Sequence, residues 1–313
     1  MIRLLALLLL PLAVFADYPA ITALVIPRQV APGIYYVQGL PGVASAANEG
    51  FNSNAGFVVT EEGVVVVDAL GSPALGNALL RSIRALTSKP VKRVIVTHYH
   101  ADHFYGLEPL KRAGADVWAH RAALAYFESG EAQARLEQRA RDLFPWVDEK
   151  MALIRADNWL DGDDTFDLGG VRFDVKHFGP AHSPEDLIVR VPGAGVIFGG
   201  DILVAGRIPF VGSADSRKWL ESIERLLALD PKIVITGHGE VSGDPKKDLV
   251  LTRDYLVFLR QAMGKAVEDF VPFGEAYAKV DWGRFSKVPA FEAANRINAY
   301  GTYLLMEREF LGK

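Results

Sequence analysis

The segment Thr97-His98-Tyr99-His100-Ala101-Asp102-His103 carries three of the chain's seven histidines and a carboxylate, directly after an apolar run from Val91. In extended chain, His98 and His100 project to the same side, and a turn after them can swing Asp102 and His103 toward a second position nearby. That spacing suits two adjacent cations. A solvated loop at a strand end would have no use for three imidazoles. The chain has no cysteine, so thiolate nucleophiles, iron–sulfur clusters and sulfur-ligated zinc are excluded and a metal must be held by His and carboxylate. Such a donor set fits two divalent ions, zinc best, with iron or manganese compatible. Two cations a few ångströms apart lower the pKa of a shared water toward neutrality, which makes hydrolysis the expected chemistry.

Donors of this kind need strands to bring them together. Ile34 to Gln38, Gly56 to Thr60 and Val64 to Asp68 read as strands, the last two joined at Glu61-Glu62-Gly63. Ser72-Pro73 supplies a helix cap and a first-turn proline, and Leu75, Leu79, Leu80, Ile83 and Leu86 recur at helical spacing until Pro90. Strands are predicted over Val91 to Thr97 and Ala115 to Ala119, with a charged, helical cover inserted at 121–150. The second half repeats the logic. Gly169-Gly170 and Pro192-Gly193 each join a strand pair, Trp219, Ile223 and Leu226 mark a helix face, and Ile233 to Thr236 is a buried strand. Residues 245–313 read as a mainly helical C-terminal extension. The expected fold is α/β, a four-layer αββα sandwich with 17–313 as one domain.

The first sixteen residues, MIRLLALLLLPLAVFA, place an Arg before a short apolar run with small residues at its end. They read as a secretory signal cut after Ala16, since a membrane span needs about 20 apolar residues. The expected location is therefore periplasmic or secreted, with no membrane span after the signal is removed. Of the 313 residues, 34 are Lys or Arg and 38 Asp or Glu, a formal charge of −4, which argues against nucleic acid as a partner.

The motif THYHADH resembles the H-x-H-x-D-H signature of the metallo-β-lactamase superfamily. Gly179-Pro180-Ala181-His182-Ser183-Pro184, Phe198-Gly199-Gly200-Asp201 and Thr236-Gly237-His238-Gly239 resemble that family's later elements, in order. The resemblance implies a metallo-β-lactamase sandwich with one metal on His98, His100 and His182, a second on Asp102, His103 and His238, and Asp201 bridging both. It also implies that Asp102 is catalytic, accepting a hydrogen bond that aims the attacking hydroxide. The aspartate at 201 is similar to the branch that includes thioesterases, lactonases and persulfide dioxygenases. Together with NSNAGFVVT and the late segment Ala294 to Tyr300, it resembles periplasmic metallohydrolases linked to sulfur-oxidation or quinoprotein relay systems.

The resulting expectation is an exported di-metal hydrolase of a small amide, ester or thioester, acting on a small molecule or on a group held by a carrier protein. The alternatives are a mononuclear-iron persulfide dioxygenase and a non-catalytic module that binds a carrier protein. Asp68 and Asp186 are expected to orient ligand imidazoles. His177 is read as an inward-pointing strand residue and His120 as a helix cap. Phe51, Asn52, Asn54, Phe144 and Trp146 are candidates to line the pocket as readily as to pack.

Overall fold

Four consecutive valines, Val64 to Val67, are all buried, and a strand apolar on both faces needs a packed layer on each side. The computed structural model, which describes residues 18–312 except 213 and 249, provides both layers. Val64 and Val66 join a cluster with Leu75, Leu79 and Ile83. Val65 and Val67 face the other way, among Phe173, Val189 and Phe198. The expected leader at 1–16 lies outside the described residues.

One sheet holds seven strands in sequence order: β1 (Arg28–Ala31), β2 (Ile34–Val37), β3 (Ala55–Val59), β4 (Val64–Val67), β5 (Val91–Ile95), β6 (Asp116–His120) and β7 (Asn158–Leu160). β1 to β4 pair antiparallel and β4 to β7 parallel. The second sheet holds β8 (Asp164–Leu168), β9 (Val171–His177), β10 (Leu187–Val191), β11 (Val196–Phe198) and β12 (Ile233–Ile235), in the order β12-β11-β10-β9-β8. Its pairs are antiparallel except β11 with β12. Gly169 and Gly170 turn the β8–β9 hairpin with φ of 52° and 80°, the left-handed conformation that a tight two-residue hairpin requires. β1 and β7 were not anticipated, because RQVA and NWL are short, partly exposed and polar, with no apolar run or alternation to register.

Helices α1 (Pro73–Leu86), α2 (Ala101–Phe104), α3 (Leu107–Arg112), α4 (Leu124–Glu128) and α5 (Glu131–Leu143) follow strands of the first sheet. Ser72 caps α1 by accepting the Leu75 amide at 3.2 Å. Within 121–150, α4 and α5 are helical, and Leu136, Ala140 and Leu143 of α5 pack on the first core. Helices α6 (Ser216–Ala228), α7 (Pro245–Asp248), α8 (Val250–Glu268), α9 (Phe273–Lys279) and α10 (Phe291–Leu311) lie in the second half, and all but α7 pack apolar side chains into a third core against Ile188 and Ile197. Two mixed sheets between helical layers are the predicted sandwich, with the predicted C-terminal helical extension. None of the helices among the described residues is long and apolar enough to cross a membrane. Asp68 follows β4, His98 follows β5, Asp201 follows β11 and His238 follows β12, so strand ends from both sheets converge on one edge of the sandwich.

Candidate metal centre

All seven residues singled out from the sequence meet at that edge. His98 Nε2 lies 3.1 Å from His100 Nδ1, which lies 2.8 Å from His182 Nε2. His238 Nε2 is 3.4 Å from Asp102 Oδ2 and 3.3 Å from Asp201 Oδ2. Asp201 also reaches the other histidines, 3.5 Å from His182 Nε2 through Oδ2 and 3.5 Å from His103 Nε2 through Oδ1. Three groups have donor atoms within 4.8 Å of one another: His98, His100 and His182; Asp102, His103 and His238; and His98, His103 and Asp201. Gly237 is required beside them, because a Cβ there would stand 1.9 Å from Asp201 Oδ1.

The surrounding hydrogen bonds fix which ring nitrogens face inward. The Thr97 hydroxyl donates to Asp68 Oδ2 at 2.9 Å, so its oxygen is left to accept from His98 Nδ1 at 3.0 Å. His103 Nδ1 donates to Asp68 Oδ2 at 2.9 Å, and His238 Nδ1 donates to the Asn52 carbonyl at 2.7 Å. Each of these rings, when neutral, turns an Nε2 lone pair toward the centre. Lone pairs facing one another and two carboxylates repel unless positive charge stands between them. His103 Nε2 and Asp201 Oδ1 are buried without a hydrogen-bond partner, and a buried polar atom so placed calls for one. Nitrogen and oxygen donors oriented from behind in this way fit divalent cations.

The charges agree with that fit. Burial, then the neighbouring imidazoles, holds His98 well below the usual histidine range, and burial and His100 bring His182 down to about 3. Burial would raise Asp201, but His238 and His103 outweigh it and hold its carboxyl well below the usual range. Burial would likewise lower His103, yet Asp201 and Asp68 raise it to about 10. Neutral imidazoles and ionised carboxylates are the protonation states that ligate metal, and a cation at His103 Nε2 would displace a proton.

Asp68 is where its expected role puts it, and its backbone is in the left-handed region at φ 62°. Its side chain holds that conformation by also accepting the Thr97 amide at 2.8 Å. Asp186 departs from expectation. It makes no hydrogen bond to an imidazole among the described residues and instead closes the turn after His182, accepting from the Ser183 amide at 2.7 Å and hydroxyl at 2.8 Å. His120 does cap the next turn, accepting the Ala122 amide at 3.3 Å, and its ring stacks on half-buried His177 with centroids 3.7 Å apart. Of the aromatics proposed for the pocket, Phe51 is in the core, Phe144 is 68% exposed and Trp146 donates to the Ala20 carbonyl. Asn52 does reach the site, donating to Asp102 Oδ2 at 2.8 Å. Asn54 instead ties the His238 loop, donating to the Thr236 and Gly239 carbonyls.

Two contributors were not anticipated. Thr97 stands inside the quoted motif, but a hydroxyl carries no ligand signal of its own. Arg207 lies beside His238 with Nη1 3.2 Å from Nδ1, and a single arginine in a loop gives no pattern to read.

Comparison with known proteins places this geometry in context. The sequence pattern of the metallo-beta-lactamase superfamily matches residues 48–238. A linear primary-alkylsulfatase from a Pseudomonas species is 24% identical over 239 residues, 65% of this chain and 45% of that protein. A metallo-beta-lactamase type 2 from Elizabethkingia meningoseptica is 26% identical over 195 residues, 61% of this chain and 70% of that one. Among solved structures, the inverting sec-alkylsulfatase Pisa1 from Pseudomonas sp. shares the fold with a TM-score of 0.69 at 18% identity, over 90% of this chain and 50% of its own. A metallo-beta-lactamase from Pontibacter korlensis does so with 0.56 at 22% identity, over 74% and 96%. The chain thus spans about half the length of the alkylsulfatases it matches.

Proposed function

The chain belongs to the metallo-beta-lactamase superfamily, and from that premise we propose that it is an exported hydrolase using two divalent cations, zinc by the chemistry of the donors, on a small amide, ester or thioester. The observation that carries the reading is the convergence of His98, His100 and His182 on one side and Asp102, His103 and His238 on the other, with Asp201 facing both. Divalent cations held by these two sets would supply Lewis acidity and acidify water. The absence of sulfur donors favours zinc over softer alternatives and leaves iron and manganese open to direct measurement.

The side chains around the centre have separable tasks. Asp68, Thr97 and the Asn52 carbonyl hold His103, His98 and His238 in one tautomer and orientation. The Asn52 amide occupies one oxygen of Asp102, which leaves the other to accept a hydrogen bond from an attacking water or hydroxide and aim it at the scissile centre. His100 is solvent-exposed while His98 and His103 are fully buried, so substrate approaches from the His100 side.

The names of the relatives add alkyl sulfate esters to the substrates worth testing. Export is supported by the leader-like composition of residues 1–16, and a carrier-bound group remains a substrate to test beside free small molecules. Purified protein is expected to hold close to two metal equivalents, and Asp102→Ala to abolish turnover of a panel of esters, thioesters, amides and sulfate esters. Full hydrolysis by Asp102→Ala would defeat the reading. Oxygen uptake with a persulfide in place of any hydrolysis would move the assignment to the iron dioxygenase.

A further inference from the structure

Glu185 is a buried carboxylate that the proposed chemistry leaves unused. It is 5% exposed. The ion pairs at the centre run through Asp68, Asp102 and Asp201, and none among the described residues reaches Glu185. The protein donor that meets it is a backbone amide, that of Tyr99, which donates to Oε1 at 3.1 Å. An ionised carboxylate has about four acceptor positions, and a buried charge without a countercharge is costly. The neighbouring carboxylate is used differently. Asp186 engages both oxygens within its own turn, at Ser183, whereas Glu185 reaches across 86 residues to the other ligand segment.

The position of that bond gives it weight. Tyr99 stands between His98 and His100, and Glu185 follows His182 by three residues. One hydrogen bond therefore joins the backbone between two donors to the loop that carries the third. The Leu187 amide makes a second bond between the same segments, donating to the Thr97 carbonyl at 2.8 Å. On the other side of the loop, His177 Nε2 donates to the Pro184 carbonyl at 3.0 Å. Gly179 permits the close approach, since a Cβ there would lie 2.2 Å from the Pro184 carbonyl oxygen.

The charges distinguish the two donor sets. Asp102 stands within the set completed by His103 and His238, whereas His98, His100 and His182 are all imidazoles and have only the shared Asp201 as a carboxylate. Burial lowers His100 below the usual histidine range, and Glu185 comes first among the carboxylates that oppose this, ahead of Asp102 and Asp201. A cation on neutral imidazoles keeps a positive charge that a carboxylate just outside the ligands offsets, and the same cation supplies the countercharge that Glu185 lacks.

We propose that Glu185 is the positioning residue for the cation of the His98, His100 and His182 set, gripping the backbone between two of its donors and placing a negative charge beside all three without being a ligand itself. The inference rests on the two-cation reading above. It concerns how tightly one cation is held and does not depend on the substrate.

Zinc transfer from the loaded protein to a chromophoric chelator reads the two equivalents separately. Glu185→Gln keeps an oxygen for the Tyr99 amide and removes the charge. It is expected to loosen one equivalent about tenfold, about 1.4 kcal/mol, and to leave the other as in the wild type. Glu185→Ala, which loses the grip as well, is expected to loosen that same equivalent by up to about 100-fold. Anomalous diffraction from Glu185→Gln crystals at limiting zinc is expected to show the loss at His98, His100 and His182. A residue that merely supports the fold would loosen both equivalents together. That outcome, an unchanged pair of affinities in Glu185→Gln, or a loss at the Asp102 set would overturn the proposal, and Glu185→Gln decides alone should Glu185→Ala fail to fold. Wild-type protein that takes up fewer than two equivalents would instead defeat the two-cation reading, and this inference with it.

Discussion

The two triads of the centre are built to different standards. In the set Asp102, His103 and His238, every member is tied from behind, by Asn52 Nδ2, by Asp68 and by the Asn52 carbonyl. In the set His98, His100 and His182, Thr97 ties His98, while His100 is exposed and His182 Nδ1 is buried with no partner. Orientation fixed by the protein reduces the reorganisation a cation must impose. The first set is therefore preorganised on the buried side, and the second depends on its cation to order the side from which substrate arrives.

The largest effect should come from breaking the tied set at its centre. His103→Ala removes a donor and leaves the buried Asp68 carboxylate without its ion-pair partner, so it should reduce turnover more than about a hundredfold and cost about 3–5 kcal/mol in stability. Paired activity and denaturation curves measure both. Asp68→Ala leaves the seven donors in place but releases His103 and the Thr97 amide, and metal titration should show affinity about 10–100-fold weaker. Thr97→Val, which frees His98 and removes one of the contacts of Asp68, should fall near the lower end, about tenfold. A larger loss for Thr97→Val than for Asp68→Ala would reverse the order of the two sets. Phe144→Ser, on a side chain 68% exposed, should change neither metal content nor stability by more than about 0.5 kcal/mol, and calorimetry of that variant sets the baseline.

The same contrast separates what the sequence disclosed from what it withheld. His98, His100, Asp102 and His103 were legible because imidazoles at i and i+2 after an apolar run, with a carboxylate and a third imidazole close behind, are a rare combination, and His182, Asp201 and His238 were legible through the resemblance of their segments to the family's later elements. The main strands and α1 were legible through apolar runs and capping, as in the valine run that feeds two cores. What stayed hidden depends on contacts between distant parts of the chain. Asp68 and Asp186 look alike in sequence, each a carboxylate near a strand end, yet one meets an imidazole across 35 residues and the other folds back on Ser183 three residues away. Arg207 meets His238 across 31 residues, and α10, some 90 residues later, pins the loop that follows it.

Anomalous diffraction at a metal absorption edge tests the central claim most directly. The account predicts two peaks, one about 2 Å from the ring nitrogens of His98, His100 and His182 and one at similar reach from Asp102, His103 and His238, since Zn–N and Zn–O bonds have that length, with Asp201 oxygens between them. Protein saturated with zinc that shows no peak among these seven side chains, or peaks only elsewhere on its surface, would contradict it.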